Sequence, residues 1–241
     1  MLPHERIILS LDGFSDIEAA LVAVKEIGVT GTIVKMNDLC DRYGVQAVKV
    51  FRDEGFLPFA DMKILDIPDT AARRTAQWRA AGAKFLTVHA SGHDKMMKAC
   101  MEVAGDDMKI LAVTVLTSFN HTASMHVFGR APQHMVHEFA FSAARSGVHG
   151  IVASLQEVAE LRANAVRCNG ASCPRLIVTP GVRPLWAAKN DQERVATPAE
   201  AIRAGADYLV IGRPIFKPSP EIGTPYDAFQ RIVHEIAPFC G

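Results

Sequence analysis

The sequence predicts a single-domain (β/α)8 barrel, the TIM barrel fold of the α/β class. Short apolar runs without polar alternation recur about every 25 residues, as expected for parallel strands that are buried on both faces. Between these runs lie stretches with helical periodicity, and most of them end close to a glycine. Eight such strand and helix units favour a closed barrel over an open, doubly wound sheet.

The predicted strands are short and rich in Ile, Leu and Val, and they lie at residues 7–11, 31–36, 57–62, 85–89, 110–115, 150–153, 176–179 and 208–211. Helices are predicted where apolar residues recur every three or four positions, at residues 16–27, 42–54, 70–81, 93–103, 135–145 and 198–204. Glycines that suit a left-handed helix end follow these segments: Gly28, Gly55, Gly82, Gly105, Gly147 and Gly205.

Length and composition are those of an ordinary globular enzyme. The 241 residues fit one barrel, so we expect a single catalytic domain over residues 1–241. The chain has 26 Lys and Arg against 26 Asp and Glu, and nucleic acid or an acidic membrane would favour a basic excess. The N-terminus lacks the layout of a signal peptide, and no apolar run approaches the roughly 20 residues that span a bilayer. We therefore expect a cytoplasmic protein.

The cysteines give no sign of a disulfide framework or a metal centre. There are five, they are scattered, and no CxxC pair or zinc-finger spacing of histidines is present. Cys168 and Cys173 lie close together, but in a Gly- and Ser-containing stretch that is typical of a loop. No metal site is expected.

Three charged residues cluster where the third predicted strand ends. Asp61 and Lys63 are two positions apart, so their side chains point to the same side of an extended chain. Asp66 lies in the turn before a helix that Pro68 helps to start. A surface ion pair beside an N-capping aspartate is the simplest explanation. The alternative is catalysis, because TIM barrels hold their chemistry at the C-terminal ends of the strands.

This stretch resembles the signature of the orotidine 5'-phosphate decarboxylases, in which a strand ends in Asp-x-Lys-x-x-Asp followed by Ile-Pro-x-Thr. Further similar segments stand at the ends of other predicted strands, at residues 11–12, 34–35, 88–92, 115–118, 179–184 and 212–215. The chain departs from the family pattern at Met36-Asn37, where Val-Gly is common, at Asp69, where Asn is usual, and at His93, where a second glycine often follows. Residues 185–190 are also atypical in composition.

The resemblance implies decarboxylation of orotidine 5'-phosphate (OMP) to uridine 5'-phosphate (UMP), the last step of de novo pyrimidine biosynthesis, without a cofactor. Loss of CO2 leaves a carbanion at C6 whose lone pair is orthogonal to the ring π system, so the protein must stabilise the charge electrostatically and protonate it. By resemblance, Lys63 is the proton donor. It belongs to an alternating charge array of catalytic residues: Lys35, Asp61, Lys63 and Asp66.

The resemblance also implies how the substrate is held. Asp12 would bind the ribose, with Lys35 beside it, and Thr117 the pyrimidine edge. The phosphate would be bound by Gly212, Arg213 and Gln192, with Arg183 at the start of the long seventh loop. Asp66 and Thr70 would reach the active site of a neighbouring subunit, which implies a homodimer.

Two other functions stay open at this stage. A magnesium-dependent sugar-phosphate decarboxylase or aldolase of the same barrel superfamily has a similar Asp-x-Lys-x-x-Asp array, but an acidic residue where this chain has Lys35. It also lacks the continuation from Ile67 to Thr70. The second alternative is an inactive barrel that only binds a nucleotide or phosphate. The intact charges at Lys35, Asp61, Lys63 and Asp66 argue against it, because grouped charges in a pocket cost stability unless a function retains them.

Overall fold

Parallel strands form a closed barrel at the centre of the molecule. The computed structural model describes residues 1–167, 175–187 and 196–240, and in this part of the chain eight strands pair in sequence order, with the eighth closing against the first. The predicted single-domain TIM barrel is confirmed. The strands are β1 (Ile7–Ser10), β2 (Ile33–Met36), β3 (Leu57–Ile64), β4 (Phe85–His89), β5 (Lys109–Val113), β6 (Gly150–Val152), β7 (Leu176–Thr179) and β8 (Tyr208–Ile211).

Helices surround the barrel, and none among the described residues is both long and apolar enough to cross a bilayer. They are α1 (Ile17–Ile27), α2 (Asp38–Tyr43), α3 (Val45–Asp53), α4 (Pro68–Ala81), α5 (His93–Ala104), α6 (His121–Phe128), α7 (Pro132–Arg145), α8 (Leu155–Arg167), α9 (Pro198–Ala204), α10 (Arg213–Phe216) and α11 (Pro225–Ile236).

One predicted helix, over residues 42–54, is wrong as a single element. Gly44 has φ of 57° and ψ of −143°, a conformation that side chains with a Cβ rarely adopt, and it separates α2 from α3. The sequence prediction also omitted α11, although Thr224 and Asp227 form a capping box at its start. Its buried Phe229, Ile232 and Ile236 also recur at helical spacing, so both the cap and the apolar pattern could have predicted α11.

The strands alternate between two apolar environments, which explains their lack of polar alternation. One set of side chains packs against the helices and includes Ile7, Leu9, Leu86 and Ile110. The residues between them fill the barrel interior. This inner cluster consists of Ile8, Ile33, Phe59, Phe85, Leu111, Val178 and Tyr208.

The next inward positions along the strands lie closer to the C-terminal mouth than this apolar layer, and on four strands they carry polar or charged side chains. On β1 to β4 these positions are Ser10, Lys35, Asp61 and Thr87, two residues beyond Ile8, Ile33, Phe59 and Phe85. On the other half of the barrel, valines of β5 to β8 face the same opening. The C-terminal mouth is thus polar on one side and apolar on the other.

Candidate active site

A cavity of about 430 Å³ opens at the C-terminal mouth of the barrel. Its volume is typical of small-molecule sites. Its floor includes Phe59 and Val178 of the inner apolar cluster. The polar and charged residues around it lie at or just beyond the ends of six strands: Ser10, Asp12, Lys35, Asp61, Lys63, Thr117, Arg183 and Arg213.

The centre of the polar side is the carboxylate of Asp61. Its Oδ2 atom lies 3.2 Å from Nζ of Lys35 and 2.8 Å from Nζ of Lys63. Lys35 also approaches Asp12, with 2.5 Å between Nζ and Oδ2. Four charges therefore alternate in sign from Asp12 through Lys35 and Asp61 to Lys63.

This alternation determines the ionisation of the two most buried members, which are each 7% exposed. Burial lowers the pKa of Lys35, but the charges of Asp61 and Asp12 outweigh burial and raise this pKa above its ordinary value. Burial likewise raises the pKa of Asp61, and the charges of Lys35 and Lys63 outweigh it and lower this pKa. Both groups are held in their charged forms.

Lys63 reaches the cavity through an irregularity of β3. The register between β3 and β4 shifts, so that Ala60 pairs with Leu86 while Ile64 pairs with Val88. Four residues of β3 thus span the length of two residues of β4, and the backbone bulges between them. Lys63 lies in this bulge with φ of 44°, a left-handed conformation that is strained for a residue other than glycine. The bulge directs its ammonium group towards Asp61.

Two polar side chains that the sequence analysis did not assign to the site form hydrogen bonds with Asp61. Thr87 donates its hydroxyl proton to Oδ1 of Asp61 at 2.8 Å. Asn37 donates from Nδ2 to the carbonyl oxygen of Asp61 at 2.7 Å, and its backbone N–H donates to Oδ1 of Asp12 at 3.3 Å. The only sequence signal for Thr87 was its inward register with Phe85.

The predicted anion-binding residues follow β7 and β8, and β8 is the neighbour of β1. At Gly212 a Cβ atom would lie 2.9 Å from the backbone oxygen of Ser10, so a larger residue would collide with β1. Arg213 and the 5% exposed Arg183 both line the cavity. The backbone N–H of Arg183 donates to the carbonyl of Ala196 at 2.8 Å, which closes the base of the seventh loop.

The remaining predicted residues divide into three groups. Asp12 and Thr117 line the cavity. Asp66 and Thr70 do not: Asp66 accepts from the N–H of Ile67 at 2.8 Å, and Thr70 accepts from Arg73 at 3.1 Å. The residue predicted to close over the phosphate, Gln192, lies outside the described residues. Within the described ranges, no three His, Cys, Asp or Glu side chains group as metal ligands.

Comparison with known proteins identifies relatives along nearly the whole chain. A protein from Anaeromyxobacter sp. (strain K) named orotidine 5'-phosphate decarboxylase is 42% identical over 218 residues, which is 89% of this chain and 92% of that protein. One of the same name from Geotalea uraniireducens is 38% identical over 96% of this chain and 95% of its own length.

Among solved structures, orotidine 5'-phosphate decarboxylase from Lactobacillus acidophilus superimposes with a TM-score of 0.77 at 28% identity. The match covers 96% of this chain and 99% of that one. The model of the orotidine 5'-phosphate decarboxylase / HUMPS family matches residues 5–222. This chain therefore belongs to the orotidine 5'-phosphate decarboxylase / HUMPS family.

Proposed function

We propose that this protein decarboxylates OMP to UMP, with Lys63 as the proton donor. The observation that supports this proposal best is the position of Asp61 between Lys35 and Lys63 at the mouth of the barrel. Asp61 and Lys35 are buried, so water screens the attraction between these two charges poorly.

The chemical step requires stabilisation of charge at one carbon atom. When the C6–CO2 bond breaks, the electron pair stays on C6, and no π system of the ring can delocalise it. The ammonium group of Lys63 stabilises the developing carbanion and then transfers a proton to C6, so that a C–H bond replaces the C–C bond. Solvent returns the proton to the amine. Nothing besides CO2 leaves, so electrons and atoms balance without a redox partner.

Asp61 and Lys35 prepare the site for this step. The carboxylate of Asp61 holds Lys63 by a 2.8 Å contact and faces the place of the substrate carboxylate, whose departure relieves the repulsion between the two anions. Lys35 neutralises Asp61 on its other side and connects it to Asp12, which is proposed to bind the ribose. The lysine charges make the presence of two carboxylates in one cavity tolerable.

The rest of the substrate is proposed to bind across the cavity. The phosphate meets the guanidinium of Arg213 and the backbone N–H of Gly212, where the absence of a side chain lets an oxygen approach closely. Thr117 meets the pyrimidine edge, while Gln192 and Arg183 belong to the loop that is proposed to cover the phosphate.

A homodimer with shared active sites is also part of the proposal. Asp66 and Thr70 do not line the cavity of their own chain, and they lie in the turn after β3 and the first turn of α4, where Leu65 is 54% and Ile67 67% exposed. Large apolar side chains at this exposure suit burial against another protein surface. A second copy of the chain would cover them and receive Asp66 at its own cavity. A cytoplasmic location stays a prediction.

The magnesium-dependent alternative is disfavoured by the surroundings of Lys35. In that chemistry an acidic residue replaces this lysine and completes a set of carboxylate ligands. Here Nζ of Lys35 lies 2.5 Å from Asp12 and 3.2 Å from Asp61, so both carboxylates already have a cationic partner. A lysine at this distance repels a divalent ion.

The direct test is the loss of OMP absorbance with the purified protein. OMP should be converted to UMP, and treatment with EDTA should leave the rate unchanged. The alternative predicts no OMP turnover, together with an activity on a sugar phosphate that stops after EDTA. An inactive, nucleotide-binding barrel predicts UMP binding without turnover of either substrate.

A further inference from the structure

Thr87 occupies a position that no substrate contact explains. Its side chain is fully buried, and it does not line the cavity. Its hydroxyl group makes two hydrogen bonds: it donates to Oδ1 of Asp61 at 2.8 Å and accepts from the backbone N–H of Lys63 at 2.8 Å. The hydroxyl oxygen of Thr87 therefore contacts both the carboxylate of Asp61 and the backbone of Lys63, the proposed proton donor.

The second of these bonds occurs where the sheet cannot supply one. Between the pairs Ala60 with Leu86 and Ile64 with Val88, the bulge of β3 interrupts the regular ladder with β4. A backbone N–H in this interval loses its usual carbonyl partner, and a buried N–H without a partner is costly. The hydroxyl of Thr87 takes the place of that carbonyl for Lys63.

The first bond fixes the rotation of the Asp61 carboxylate. Oδ1 accepts from Thr87, so Oδ2 is the oxygen that faces Lys35 and Lys63. Without a donor at Oδ1, the plane of the carboxylate can rotate about the Cβ–Cγ bond and turn the oxygen between the lysines out of line with them. The ammonium of Lys63 then has no fixed anchor.

We propose that Thr87 is a positioning residue for the decarboxylation, which aims the ammonium of Lys63 by holding the bulge and the Asp61 carboxylate together. It stabilises the strained backbone of Lys63 from one side and orients the partner of its side chain from the other. This inference rests on the proposed function, because it assigns Thr87 a role in the same chemical step.

The test compares three substitutions at this position with one matched control. Thr87→Val keeps the shape and removes the hydroxyl, Thr87→Ala removes it without placing a methyl group against the carboxylate, and Thr87→Ser retains it. Thr75 is equally buried and donates to the carbonyl of Ala71 within α4 at 2.8 Å, away from the cavity, so Thr75→Val is the control.

We expect Thr87→Val and Thr87→Ala to lower kcat for OMP by about 10- to 100-fold, as for a lost hydrogen bond to a charged group. KM should change by less than about threefold, because substrate does not touch Thr87. Thr87→Ser should recover most of kcat. Thr75→Val should lower the melting temperature without lowering kcat.

Hydrogen exchange of the Lys63 amide gives a second measurement that does not depend on turnover. This amide should exchange faster in the Val and Ala variants than in wild type, and slowly again in the Ser variant, because only a hydroxyl accepts its N–H. If the Val variant does not fold, the comparison of the Ala variant with the Ser variant still tests the role of the hydroxyl.

The inference is overturned if the folded Thr87→Val or Thr87→Ala variant keeps wild-type kcat, or if Thr87→Ser is as slow as they are. It is also overturned if Lys63 exchange is unchanged. Failure of the proposed function looks different, since wild-type protein would then fail to turn over OMP while the exchange difference persisted.

Discussion

Asp61 and Lys63 are only two residues apart along β3, yet their charged groups meet, with 2.8 Å between Oδ2 and Nζ. Residues two apart in a strand have side chains on the same face. Here the contact forms within the bulge of β3, where Lys63 has a positive φ. The proposed proton donor and its anchor therefore form one local unit of the chain.

Removal of the lysine from this unit should separate chemistry from binding. We expect Lys63→Ala to abolish measurable OMP turnover while UMP binding stays within about tenfold, since the ammonium acts mainly in the transition state. Turnover and UMP titration measure the two effects. Lys25→Ala, which removes an exposed ion pair with Glu54, is the control and should retain activity. A loss of turnover smaller than about a hundredfold would exclude Lys63 as proton donor.

The proposed shared site predicts complementation between inactive subunits. Lys63→Ala and Asp66→Ala dimers should each be inactive, and a mixture that exchanges subunits should regain activity, because one site of each hybrid is then fully wild type. Subunit exchange is followed with differently tagged chains. Hybrids that form and stay inactive would contradict the contribution of Asp66 across the interface.

The phosphate clamp predicts an effect that depends on the substrate. Arg213→Ala should lower kcat/KM for OMP by about 100-fold or more, which corresponds to a loss of several kcal/mol of transition-state stabilisation, because the phosphate loses a charged partner. The same substitution should change little for orotidine, which has no phosphate. Steady-state kinetics on both substrates give the comparison. An equal loss on both would show that Arg213 supports only the structure.

The opposed pKa shifts of Asp61 and Lys35 predict how pH affects stability. The pKa of Asp61 is lowered, so its contribution is fully present above its ordinary value of 3.8 and is lost as pH falls through the folded value. The pKa of Lys35 is raised, so its contribution is fully present below its ordinary value of 10.5 and is lost as pH rises through the folded value. Between these limits both charges stabilise the fold.

Removal of Lys35 should therefore cost most at neutral pH. Lys35→Met leaves the buried Asp61 with one cation fewer, and we expect a loss of about 3 kcal/mol in the free energy of unfolding at pH 7. Without the charge of Lys35 the pKa of Asp61 is higher in the variant than in wild type, so acidification towards pH 4 costs the variant less stability and narrows its difference from wild type. Urea unfolding at both values measures the difference. If the difference in the free energy of unfolding between wild type and Lys35→Met were larger at pH 4 than at pH 7, the charge interaction between Lys35 and Asp61 would be contradicted.

The barrel was predictable because its signals are local and repeat eight times. Buried strands such as β6 and β8 carry no charged residue on either face, and glycines such as Gly28 and Gly82 end helices in a left-handed conformation. The error at Gly44 arose because a single glycine inside an apolar period does not show from its neighbours whether it breaks the helix.

The site was predictable where its residues form a motif and not where they depend on the register between strands. Asp61 and Lys63 stand in one short segment, so a linear pattern contains them. Thr87 and Asn37 join the site because β2 and β4 flank β3, and a linear motif does not show which side chain of a neighbouring strand contacts Asp61. The bulge that aims Lys63 is equally invisible, since an insertion in one strand exists only relative to its neighbour.

The close approach of Gly212 to Ser10 lies where the first and last strands of the barrel meet, since β8 pairs with β1. A phosphate bound at Gly212 therefore sits on the seam of the cylinder, and its binding energy opposes detachment of the first strand. Nucleotide should slow amide exchange in β1 beyond its effect on β5, on the far wall. Bound substrate would then stabilise the pairing of β1 with β8, so the first strand would be held in the sheet more firmly when the site is occupied.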